Sequence, residues 1–137
     1  MIRVKINQPN ASGMFLKALK ENKVIAYPTD TIYGVGTAVT NDKGIDKINE
    51  MKKRQQPMSI ALANFDIIKN TIIADEHKLL KIQEILKDGS TCIANYKPGS
   101  FNNKITQEGK IGFRIPNHHF FFQDNSYKLY VLEYLYL

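Results

Sequence analysis

Three groups of side chains in this chain have the types and spacing to bind a small polar molecule. Thr29, Asp30 and Thr31 set three oxygen-bearing side chains in a row after Pro28. Gly34 and Gly36 follow, where a ligand can approach backbone with no Cβ in the way. Lys52 and Arg54 offer a point charge and a bidentate fork, a pairing suited to phosphates. Cations at a helix end also complement the helix dipole, so position alone leaves both readings open. Arg114 closes an alternating stretch, Lys110 to Ile115, and its planar fork fits a carboxylate. An arginine snorkelling at a strand edge is the structural alternative.

Other chemistries are excluded. His118 and His119 are adjacent, point different ways on any regular element, and have no third ligand at useful spacing, so no metal site is expected. The chain has no nucleophile elbow, P-loop or dinucleotide fingerprint. Its single cysteine, Cys92, lies in an apolar run and reads as a buried, inert thiol.

The elements that must position these groups alternate between strand and helix signals. Arg3 to Ile6 reads as a short strand. Ser12 caps a helix running to about Asn22, with Phe15, Ala18 and Leu19 at helical spacing. Val24 to Tyr27 reads as a buried strand, stopped by Pro28. Thr40, Asn41 or Asp42 caps a second helix with Ile45, Ile48 and Met51 on one face. Met58 to Ala63 is a strand, Phe65 to Ile68 a short helix, and Asp75 caps a helix that turns Leu79, Ile82 and Leu86 inward. Thr91 to Ala94 and Lys110 to Ile115 are strands flanking a loop from Lys97 to Gly109. This alternation predicts a single α/β (α+β) domain.

The composition suits that reading. The 137 residues are 43% hydrophobic and 23% charged, enough for one ordinary core. No apolar run is long enough to span a membrane, and the N-terminus lacks a signal-peptide core, so no membrane association and a cytoplasmic location are expected. The net charge of +6 is permissive for anionic partners such as nucleotides or RNA.

Pro28-Thr29-Asp30-Thr31-Ile32-Tyr33-Gly34 resembles the signature of the YrdC-like family, the threonylcarbamoyl-AMP synthases. Lys110-Ile111-Gly112-Phe113-Arg114-Ile115-Pro116-Asn117-His118 is similar to that family's Thr-Val-Gly-Val-Arg-Ile-Pro-Asn-His. Lys52 and Arg54 resemble its Lys-x-Arg element, with a shorter insert before the next strand. Asp88 to Thr91 looks like a degraded Pro-Gly-Pro-x-Thr element. The resemblance implies a twisted mixed sheet with flanking helices. It implies that Thr29, Tyr33 and Arg114 bind threonine, and that Lys52 and Arg54 bind the phosphates of ATP. The implied reaction joins threonine, bicarbonate and ATP, with Mg2+ beside the nucleotide, into threonylcarbamoyl-adenylate for tRNA modification. Lys110 stands where the family has threonine, which changes one expected nucleotide contact.

The likeness covers residues 10 to 118. It implies a domain over residues 1–119 that lacks the family's later Ser-Thr-Ser-Ala-Asn-type element, and a divergent aromatic-rich tail over 120–137. The tail either substitutes for missing core or extends at random. The alternatives to a synthase are a non-catalytic nucleotide- or double-stranded-RNA-binding module and an inactive truncated remnant.

Overall fold

The computed structural model describes residues 1–28, 33–53 and 57–117 in full and residues 131–135 as backbone. Residues 1–5 have no regular structure, so the strand expected over Arg3 to Ile6 is absent. Helix α1 (Ala11–Lys20) starts one residue before Ser12, after Asn10. It ends in a Schellman arrangement. Asn22 takes a left-handed φ of 57°, its N–H donates to the Leu19 carbonyl, and the Lys23 N–H donates to that of Ala18.

Strands β1 (Ile25–Tyr27) and β2 (Gly34–Gly36) form an antiparallel hairpin, with Tyr27 opposite Gly34. Helix α2 (Asp42–Lys52) is capped by Asn41, whose Oδ1 accepts from the Gly44 N–H at 3.1 Å. Strand β3 (Ser59–Ala61) leads to two short 3-10 turns, Phe65–Ile67 and Lys69–Thr71. Helix α3 (Glu76–Leu86) is capped by Asp75 through the Lys78 N–H. Strand β4 (Cys92–Asn95), a third 3-10 turn (Asn103–Ile105), and strands β5 (Lys110–Arg114) and β6 (Val131–Leu135) follow.

The six strands form one mixed sheet in the order β1-β2-β6-β3-β5-β4. Only β3 and β5 pair in parallel. Strand β6 lies between β2 and β3, antiparallel to both, so part of the tail joins the first hairpin to the rest of the sheet. The strand expected as buried, Val24 to Tyr27, is instead the sheet's edge at β1, with Ala26 exposed.

One face of the sheet carries the main core. Ile60, Ile111 and Phe113 meet Ile45 and Ile48 of α2, Ile82 and Leu86 of α3, and Phe65, which stacks on Phe113 at 5.8 Å. Met51, expected on the apolar face of α2, is exposed in its last turn. Cys92 is buried, as expected, and burial pushes its thiol pKa up. The other face is only partly covered. There α1 packs Leu19 and Phe15 against Tyr27.

Candidate functional site

Strand direction decides which loops can meet. Strands β2, β3 and β5 all run the same way, so their starts share one edge of the sheet. Pro28, just after β1, and Tyr33, immediately before β2, stand at that edge. Lys52 closes α2 shortly before β3 begins there, and β5 begins there at Lys110.

Beside that edge, on the face away from the main core, lies a cavity of about 380 Å³. Ser59, Thr91, Ile93, Gln107, Lys110 and Gly112 are among its walls. Three local devices shape it. Glu108 and Gly109 both take left-handed φ values, 52° and 72°, making the tight turn that starts β5. The Asp88 carboxylate accepts from the Ser90 N–H at 3.0 Å and sets the turn before Thr91. Hydrogen bonds from Ser90 hold the Asp88 carboxyl below the usual carboxylate range. At Gly112 a Cβ would stand 3.0 Å from Ser59 Oγ, so any larger residue there would push on the Ser59 hydroxyl that lines the cavity.

A second device fixes the hairpin's exit. Thr37 Oγ1 donates to the Lys23 carbonyl at 2.8 Å, and Asn41 Nδ2 donates to Thr37 Oγ1 at 2.8 Å and to the Asn22 carbonyl at 2.9 Å. This buried polar knot ties the end of α1, the end of β2 and the start of α2. A Cβ at Gly44 would lie 2.4 Å from Asn41 Nδ2.

The residues expected from sequence fall in different places. Thr29, Arg54 and the histidine pair lie outside the described residues. Tyr33, 69% exposed, stands at the strand-start edge. Lys52 is partly buried at the end of α2. Arg114, 4% exposed, sits at the far end of β5, and the Leu62 N–H donates to its carbonyl. The register sets Tyr33 and Arg114 five residues apart along the strands and three strands apart across them, roughly 20 Å between Cα atoms. The sheet thus puts the phosphate-type and Tyr33 elements at one edge and Arg114 at the other.

Gly34 does not offer its backbone to a ligand, as its sequence context suggested. The Tyr27 ring packs over it, and a Cβ there would meet Tyr27 Cζ at 3.1 Å. Sequence reasoning also missed Ser59 and Asn49. The Asn49 Oδ1 acceptor is buried with no hydrogen-bond partner among the described residues, one turn before Lys52 on the same helix. Gly112 inside an alternating strand was the one readable sign of a close approach.

The arrangement can hold a polar ligand along an open sheet face with cations at one end. Among the described residues no three of His, Cys, Asp or Glu cluster to hold a metal ion, and no helix is long and apolar enough to cross a membrane.

Comparison with known proteins places this geometry in context. The Sua5/YciO/YrdC family model, described as telomere recombination, matches residues 17–123. The threonylcarbamoyl-AMP synthase of Bacillus subtilis (strain 168) is 29% identical over 104 residues, which cover 73% of this chain and 30% of that protein. The threonylcarbamoyl-AMP synthase of Riesia pediculicola is 34% identical over 67 residues, 49% of this chain and 36% of that protein. The crystal structure of P. abyssi Sua5 complexed with L-threonine superposes with a TM-score of 0.74 at 19% identity, over 89% of this chain and 37% of that one. The chain thus spans about a third of the length of each of these three proteins. The matched model covers most of the sequence and the fold agrees with it: the chain belongs to the Sua5/YciO/YrdC family.

Proposed function

We propose that this domain performs the adenylyl transfer of the threonylcarbamoyl-AMP synthases, making threonylcarbamoyl-adenylate from threonine, bicarbonate and ATP for tRNA modification in the cytoplasm. The supporting observation is one matched stretch, residues 17–123, that holds the Pro28-to-Gly34 segment, Lys52 with Arg54, and the Lys110-to-His118 segment.

In this reading the threonine nitrogen and bicarbonate form a carbamate with loss of water. A carbamate oxygen then attacks the α-phosphorus of ATP. The bond from that phosphorus to the bridging oxygen breaks, and pyrophosphate leaves with the electron pair. No protein nucleophile is needed, so the residues work by positioning and by charge. Lys52 and Arg54 offset the charge of the departing pyrophosphate. Magnesium enters as the counter-ion of ATP, carried by phosphates and water. Arg114 holds the threonine carboxylate, and Thr29 and Tyr33 bind the rest of the amino acid.

The test is pyrophosphate release with each of the three substrates omitted in turn. Release requires all three, and Arg54→Ala lowers it by about a hundredfold or more, the scale of one transition-state charge contact. A protein that melts sharply yet releases no pyrophosphate overturns the synthase reading. It would leave a binding module, which salt-sensitive affinity for double-stranded RNA without ATP consumption would identify.

A further inference from the structure

Among the described residues the sheet ends at β4, and only the C-terminal half of its outer edge is occupied. The segment Thr71 to Ile73 lies along the C-terminal end of that edge. The Ile73 N–H donates to the Asn95 carbonyl at 2.9 Å, the Lys97 N–H donates to the Thr71 carbonyl at 2.8 Å, and Ile72 bridges Tyr96. After Ile73 the chain turns away towards α3. Asn95 aims its carbonyl outward, so Ile93, two residues back, aims its own N–H and carbonyl the same way, past the last of these contacts.

A groove of about 560 Å³ opens there between α3 and β4. Its apolar walls include Ile73, Ile85 and Ile93, which are 50%, 45% and 69% exposed. Its charged walls among the described residues are Lys78, Lys81 and Lys110, none of them acidic. It shares Ile93 and Lys110 with the cavity beside the strand-start edge, and its other walls, from Ile73 and Ala74, α3 and the rest of β4, lie outside that cavity.

We propose that this groove receives an extended acidic segment of a partner protein, which adds a strand to the outer edge of β4 beside Ile93. Main-chain bonding to Ile93 would continue the line that Thr71 to Ile73 begins. Alternate apolar side chains would cover the three isoleucines, and carboxylates between them would reach the lysines. Charge decides the occupant. A second copy of this chain, paired edge to edge, would bring two sets of three lysines together. A nucleic acid would leave the isoleucines uncovered.

The test uses the full chain and a labelled hexapeptide of alternating valine and glutamate, read by fluorescence anisotropy and by the amide resonance of Ile93. The expected result is saturable binding with a shift at Ile93. Affinity should fall about tenfold in Lys78→Glu/Lys81→Glu, whose two sites are exposed. It should vanish when the peptide's ladder-edge nitrogens are methylated. Equal binding of the methylated peptide shows a purely electrostatic contact and overturns strand addition. So does a silent peptide, a valine-lysine peptide that binds as well, a single-stranded RNA that shifts Ile93 where the peptide does not, or self-association through this edge. The methylated peptide leaves the protein untouched, so the outcome does not depend on any variant folding.

Discussion

The described residues form two apolar clusters of unequal weight, and the β1–β2 hairpin that flanks the signature stretch carries the smaller one. Beneath α2 and α3, fifteen buried side chains form one continuous core among the described residues. Beneath α1, Leu19, Tyr27 and Ala38 form a separate cluster, with Phe15 and Ile25 against it. The β1–β2 hairpin that presents Tyr33 therefore has little apolar burial of its own on that side. Its position is set mainly by the Thr37–Asn41–Gly44 knot and by β6. The half with β3, β5 and the open cavity instead rests on the large core. One half of the proposed site rests on the large core; the other rests on the smaller cluster, on Val24 and Val35 at the margin of the large one, and on directional bonds.

The largest blow to this contrast is expected from Phe113→Ala. Phe113 is fully buried and stacked on Phe65, and its loss should cost about 3–5 kcal/mol by chemical denaturation, with every probe melting together. Gly44→Ala comes next, because the new Cβ collides with Asn41 and Thr37. We expect a loss of about 1–3 kcal/mol, with NMR shifts centred on Thr37 and Asn41. Shifts centred on α3 instead would mean the knot is not the hairpin's anchor.

A finer measurement needs no variant. Amide exchange at 25–27 and 34–36 should proceed by local openings well below the global free energy, while 59–61 and 110–114 should exchange only on global unfolding. Uniform protection would dissolve the distinction between the halves. The smallest effect concerns the turn before Thr91. The lowered carboxyl of Asp88 contributes above the ordinary carboxylate range, and that contribution is lost as pH falls through it. Asp88→Asn should therefore flatten the acid dependence of the Ser90 amide shift and leave the melting temperature nearly unchanged.

The sequence was most readable where a local signal had a local cause. Asp75 caps α3 and Asn41 caps α2 through their own side chains, and the alternation of β5 follows its pleat. The family motifs were legible for the same reason, as short runs of particular residues. What was not legible depends on distant partners. Gly34-Val35-Gly36 has poor strand propensity, yet pairs as β2 because the Tyr27 ring covers Gly34. Arg3 to Ile6 has strand-like residues but no neighbouring strand to pair with among those described. The separation of Tyr33 from Arg114 follows from strand order alone, which no motif encodes.

The place of β6 also has a consequence in time. Val35 pairs with Tyr134, roughly a hundred residues later in the chain, and Ile60 pairs with Leu132. During synthesis β1 and β2 leave the ribosome early, but among the described strands they join the rest of the sheet only through β6, made after the other five. Until that strand emerges, the nascent chain holds a hairpin and a separate sheet with two unprotected edges facing one another, and a chaperone that shields bare strand edges would find its substrate there.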